Sequence, residues 1–162
     1  MLAGQSDRKV VWIVGKKGNE GKTWFQAYVE SYFGYGHVAR LELTGRSKDI
    51  CHALGKRPLI STDLFLFNVS RSNSDLTDCY PILESVKDGS TVSTKYDSKR
   101  LQFTTPNVLM IFSNSQPDKR KLSSDRWVIF TITPDEKLEL MYGNVNWTKK
   151  NMCGTINLLG KK

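Results

Sequence analysis

Histidine and cysteine are scarce in this 162-residue chain, and their placing excludes several chemistries. The two histidines are His37 and His52, and the three cysteines are Cys51, Cys79 and Cys153. Only His52 stands beside a cysteine, so the ligand spacing of a zinc site is missing, and three widely separated thiols make no disulfide framework. A reducing compartment is the expectation. No apolar run approaches the roughly 18 residues that a membrane-spanning helix needs. The opening "MLAGQSDRK" also lacks the apolar centre of a signal peptide. No membrane partner is expected, and no repeat or low-complexity linker interrupts the chain before residue 142.

Acidic residues are also in deficit, 16 against 24 Lys and Arg, for a net charge of +8. An excess of this size favours a polyanionic partner such as a nucleic acid. The positive charges are not gathered in a tail. They recur in "GKK", "GKR", "KYDSKR" and "PDKRK", all turn-like places from which side chains reach outward.

What the chain does have is alternation of apolar runs with helical patterns. "VVWIV" (10–14) reads as a buried strand. From Lys22, the set Phe25, Tyr28, Val29, Tyr32 and Phe33 follows helical spacing, and Gly34 is a natural stop. "VARLEL" (38–43) is a second strand, and a short helix is expected from about Ser47 to Leu54. The continuous run "LFLFNV" (64–69) marks a strand covered on both faces. A helix follows through "YPILESVK", with Pro81 tolerated in its first turn. "TVSTKYDSKRLQF" alternates about Asp97-Ser98 as a β-hairpin does. "NVLMIFSN" (107–114) and "WVIFTI" (127–132) complete five strands of an α/β sandwich around a largely parallel sheet. Ligands of such sheets bind beyond the carboxyl ends of the strands. That rule draws attention to the Gly15 loop, Asn68, Asn114 and the segment before Trp127.

"GKKGNEGKT" (15–23) carries the strongest chemical signal. A phosphate loop runs Gly, four residues, then Gly-Lys-Ser/Thr, and the spacing here is one residue longer. Strand, glycine loop and helix nevertheless follow in the required order. Gly15, Gly18 and Gly21, with Lys17, Asn19 and Glu20 between them, form the candidate cradle, where backbone N–H groups turn toward phosphate oxygens. Lys22 is placed to meet the β- and γ-phosphates of ATP, and the Thr23 hydroxyl to bind Mg²⁺. The N-terminal end of the helix adds its positive dipole. The bland alternative is a surface turn ahead of a helix.

A second strand should supply an acid for the Mg²⁺ shell, but "LFLFN" ends on Asn68. An amide accepts a hydrogen bond from metal-bound water yet brings no negative charge. Asn114 ends the next strand and either senses the γ-phosphate, places the attacking water, or simply caps the turn before Pro117.

Taken in order, Gly15–Thr23, "FNVSR" (67–71), the "KYDSKR" hairpin and "IFSN…P…LSSDRW" resemble superfamily 3 helicases. The likeness is greatest to replication initiator (Rep) proteins of circular single-stranded DNA viruses, nanovirus-like and related lineages, and covers about residues 10–133. It implies a P-loop NTPase fold, AAA+-like: a three-layer sandwich with a mainly parallel five-stranded sheet and a β-hairpin insertion. It implies that Lys22, Asn68, Asn114 and Arg126 are catalytic, Asn68 standing where relatives carry the Walker B aspartate and Arg126 serving as a finger toward a neighbouring subunit. Lys95, Tyr96, Lys99 and Arg100 of the hairpin would contact single-stranded DNA. The resemblance further implies a homo-oligomeric ring, six subunits in the full-length protein, working in the host nucleus.

Residues 1–9 are expected to be a linker, 10–142 the ATPase domain and 143–162 a tail or docking segment. The nine residues before the first strand leave no room for the nuclease domain of such initiators, so an excised motor domain is the expectation. Two rivals stand beside it. One is a nucleotide- and DNA-binding module whose hydrolysis is impaired by Asn68. The other is an unrelated P-loop kinase.

Overall fold

The structure is a computed structural model that describes residues 8–44, 46–71, 75–93, 98–104 and 107–143. Strand β1 (Val10–Val14) is buried throughout and runs into the loop that precedes helix α1 (Lys22–Phe33). Then come β2 (Val38–Glu42), α2 (Ser47–Leu54), β3 (Leu64–Asn68) and α3 (Tyr80–Lys87), which admits Pro81 in its first turn. Strands β4 (Ser90–Ser93) and β5 (Lys99–Gln102) pair antiparallel in a two-stranded sheet of their own, with Val92 opposite Arg100. Strands β6 (Val108–Ser113), β7 (Trp127–Ile132) and β8 (Leu138–Tyr142) complete the main sheet.

That sheet has six strands in the order β2-β3-β6-β1-β7-β8. The first five are parallel, and β8 returns antiparallel along β7. The expected five strands are therefore all present, and a sixth is added. Strand β8 escapes pattern reading because four of its five residues are exposed, including Leu138, Leu140 and Met141. Backbone pairing at the sheet edge holds it, and no alternation of burial marks it.

Period-2 alternation along β1 divides the core between the two faces of the sheet. Val10, Trp12 and Val14 pack with Ile50 and Leu54 of α2 and Ile82, Leu83 and Val86 of α3. Val11 and Ile13 pack on the other face with Val29 of α1, beside Phe25 and Tyr28. Helices thus cover both faces, which explains the continuous apolar runs of the central strands. The helical stripe on α1 is narrower than its sequence pattern. Only Gln26 and Val29 of that helix are buried, whereas Tyr32 and Phe33 stay exposed and meet edge to face.

Parallel strands bring their carboxyl ends to one edge. The Gly15 loop, Glu42, Asn68 and Asn114 consequently gather there although up to 99 residues of sequence separate Gly15 from Asn114. Trp127 pairs with Val10, so Arg126 lies at the opposite edge.

Candidate functional site

The loop between β1 and α1 is built on left-handed backbone. Gly18, Asn19 and Gly21 have φ of 76°, 57° and 74°, a region glycine enters without steric cost and asparagine tolerates better than most residues. Gly15 does a different job from the one expected. Its N–H donates to the Ser113 carbonyl (2.9 Å), extending the β1–β6 ladder rather than facing the loop interior. A side chain at Gly15 would fall 1.9 Å from Glu20 Oε2 and 2.4 Å from Lys22 Nζ, so its missing Cβ makes the space those groups occupy.

Lys22 is the hub. Its Nζ donates to the Gly15 carbonyl (3.0 Å), to Glu20 Oε2 (2.7 Å) and to Asn114 Oδ1 (3.0 Å). Three acceptors satisfy the three ammonium hydrogens. Glu20 Oε1 also accepts from the Lys17 N–H at 3.1 Å. Burial works against ionisation of Glu20, but the bonds from Lys22 and Lys17 and the charges of both lysines outweigh it, holding the carboxyl below its ordinary range. Thr23 follows at the exposed start of α1. Lys22, Glu20 and Asn114 thus form one hydrogen-bonded group, although Asn114 lies 92 residues beyond Lys22 in the sequence.

Asn68 is oriented by a residue that sequence reading passed over. Glu42 ends β2 directly in register with Asn68, and both of its carboxylate oxygens lie 3.0 Å from Asn68 Nδ2. Because a carboxylate only accepts, the amide nitrogen faces Glu42 and Asn68 Oδ1 is left available to a donor. Applying the carboxyl-edge rule to β2 as well would have found Glu42. Arg71, in the quoted "FNVSR", was also unassigned. Its guanidinium lies over Gly18, where a Cβ would stand 1.9 Å from Arg71 Nη2. Lys16, Lys17, Arg71, Ser113 and Asn114 line an open cleft of ≈ 660 Å³ beside the loop, and Asp75 and Asp118 line it too. Asp118 is held at about 2 by side-chain and backbone hydrogen bonds from Arg120.

Arg126 is placed otherwise than as a projecting arm. It is 4% exposed, with Nε 3.6 Å from Glu84 Oε1 on α3 and Nη2 3.4 Å from Oδ1 of Asp88, which caps the end of that helix. Among the described residues, Nε and Nη1 find no hydrogen-bond partner. Within this chain Arg126 is therefore a buried ion-pair residue, because α3 and its C-cap present Glu84 and Asp88 to the start of β7.

Lys99 and Arg100 are exposed on β5, as a contacting hairpin requires, while Lys95 and Tyr96 lie outside the described residues. Of the other basic clusters, "GKR" turns inward: Arg57 bonds Glu30 and the Val38 and Arg40 carbonyls and covers the Tyr35 ring.

No family model matches the chain. It is similar to Para-Rep C3 of Milk vetch dwarf C3 alphasatellite, 32% identical over 123 residues, covering 75% of this chain and 40% of that protein. Para-Rep C6 of Subterranean clover stunt C6 alphasatellite is 30% identical over 120 residues, covering 74% and 39%. Para-Rep C1 of Faba bean necrotic yellows C11 alphasatellite is 31% identical over 129 residues, covering 80% and 43%. The chain thus spans about two-fifths of the length of these relatives. Among solved structures, the apo A form of the NrS-1 C-terminal region shares the fold at a TM-score of 0.51 and 14% identity, covering 94% of this chain and 35% of that one.

Proposed function

The homologues of this chain are alphasatellite Rep proteins, and from that premise we propose that it is the ATP-driven motor of a replication initiator. In this reading the fold is a P-loop NTPase sandwich, and ATP hydrolysis between subunits of a ring moves single-stranded DNA in the host nucleus. The observation that carries it is the meeting of Lys22 Nζ, at the start of α1, with Asn114 Oδ1 at 3.0 Å, just beyond the carboxyl ends of the paired strands β1 and β6. A cation at the start of a helix, tied to a polar amide on the neighbouring strand, suits a group that binds a terminal phosphate and one that registers it.

Among the described residues no cluster of three or more His, Cys, Asp and Glu could hold a metal. The residues therefore fit Mg²⁺ only as an ion arriving with a polyphosphate, held by the Thr23 hydroxyl and, through its water, by Asn68 Oδ1. When bound, the ion neutralises phosphate charge. Lys22 then binds the β- and γ-phosphates, the loop's backbone N–H groups orient them, and Asn114 holds the attacking water. Arg71, lying over Gly18, closes the loop's outer side.

Arg126 stands at the far edge of the sheet from Lys22, so it cannot serve its own nucleotide. Its under-bonded guanidinium supports a second position, reached on ring assembly, in which it leaves Glu84 and Asp88 for a neighbour's γ-phosphate. A finger of this kind is worth about 10³–10⁵ in rate. Lys99 and Arg100, with Lys95 and Tyr96 in the turn, would contact the DNA backbone and bases.

Turnover of ATP, with and without single-stranded DNA, tests the reading. Stimulation by DNA and loss of turnover in Lys22→Ala are expected, and DNA affinity should fall steeply with salt, with a shallower slope in Lys99→Ala/Arg100→Ala. Turnover that survives Lys22→Ala would overturn it. A second reading, binding with little hydrolysis, is favoured by the absence of a carboxylate at the end of β3. Tight nucleotide binding without turnover would select it.

A further inference from the structure

Two of the groups best placed to grip a phosphate are already engaged by an anion of the chain itself. Glu20 lies inside the loop with its side chain 11% exposed, and Lys22 is 12% exposed. The carboxylate takes the Lys22 ammonium at 2.7 Å through Oε2 and the Lys17 backbone N–H at 3.1 Å through Oε1. Oε2 rests over Gly15, in the space that a side chain there would fill. One carboxylate thus bridges a lysine and a backbone donor, which is the bonding pattern that a phosphate oxygen pair would adopt in the same loop.

We propose that Glu20 is an internal competitor for the phosphate cradle and so a specificity-determining residue of the site. The proposal rests on the reading of this loop as a phosphate site. A ligand must supply enough negative charge to take Lys22 and the Lys17 N–H from Glu20. Orthophosphate offers one group for one carboxylate, whereas a di- or triphosphate adds further oxygens along the helix N-terminus and the remaining loop donors. The site therefore rejects single anions and admits polyphosphates.

The alternative role for Glu20 is a purely structural latch that holds the loop's shape. The two are separated by sign. Removing a competitor strengthens binding, while removing a latch loosens the loop and weakens it.

The test is calorimetric titration of the whole chain with orthophosphate, pyrophosphate and ATP in the presence of Mg²⁺, for the parent, Glu20→Gln, Glu20→Ala and Lys22→Ala. Circular dichroism melts check that each variant is folded. Both Glu20 variants should bind pyrophosphate and ATP about tenfold more tightly than the parent, the usual scale of one charge-assisted bond. Their preference for pyrophosphate over orthophosphate should narrow, and Lys22→Ala should lose both ligands. Equal or weaker binding by the Glu20 variants, with Lys22-dependent binding in the parent, would overturn the competitor role and leave the nucleotide site standing. Failure of every folded variant to bind any of the three ligands would remove the phosphate site and the competitor together.

Discussion

Asn68 carries the least expected chemistry for its place, and its surroundings give the amide a physical setting. Where an aspartate would bring charge to the end of β3, the chain has an amide whose nitrogen is held by Glu42 from the adjoining strand. The negative charge is present, one strand away. Replacing Asn68 by Asp alone would set two carboxylates against each other, and such pairs keep one member protonated to a raised pKa. Asn68→Asp should therefore raise ATP turnover only modestly. The double variant Glu42→Gln/Asn68→Asp, in which an amide again faces a carboxylate, should turn over several-fold faster than the single one. Steady-state turnover with and without Mg²⁺ decides it, and equal rates would show that Glu42 has no hold on position 68. Asn68 and Asn114 were legible in the sequence because strand ends can be read from apolar runs. Glu42 was not, since its relevance comes from which strand lies beside β3.

At the level of elements, the joint between α3 and β7 sets the state of Arg126. Its charge is buried while Glu84 and Asp88 keep 42% and 57% side-chain exposure, so the acids are hydrated and the guanidinium is not. A buried charge with long ion pairs and unmade hydrogen bonds contributes little net stability, whereas its aliphatic stem packs. Arg126→Ala should cost about 1–2 kcal/mol through lost packing. Arg126→Met, which keeps the stem and discards the charge, should cost less than Arg126→Ala and match or exceed the parent. Urea denaturation measures both. A loss for Met as large as that for Ala would mean that the ion pairs, rather than the stem, hold the joint. The same elements show where pattern reading fails: the stripe on α1 overstated its buried face, and β8 shows no stripe at all. In both cases exposure depends on what lies opposite, which local periodicity does not encode.

For the molecule as a whole, the sparse cysteines report on how tightly the core is closed. Cys51 and Cys79 are free and buried. Burial pushes the Cys79 thiol up to about 11, with the charges of Asp78 and Asp75 adding to it, and burial likewise raises Cys51. Since the thiolate is the reactive form, both should be inert at pH 8 in the folded chain. In a Cys153→Ser background, thiol titration should find no fast-reacting group until denaturant is added, and two thereafter. Rapid reaction in buffer would contradict the packing of α2 and α3 on the sheet. Net charge is likewise a property of the whole. The +8 excess was evident from composition, but Arg57 spends its charge inside the fold while Lys99 and Arg100 face solvent.

The order of the five parallel strands and three α-helices, the glycine loop ahead of α1 and the candidacy of Lys22, Thr23 and Asn114 follow from the amino-acid sequence alone. They depend on local properties: apolar period, backbone freedom at Gly18 and Gly21, and the placing of a strand before a helix. The partners of those residues were decided only by tertiary structure. Glu20 on Lys22, Glu42 on Asn68, Arg71 over Gly18 and the two acids around Arg126 all arise from strand order and side-chain packing. Such contacts join residues whose separation in the chain carries no signal, because the sheet alone determines which strand ends become neighbours.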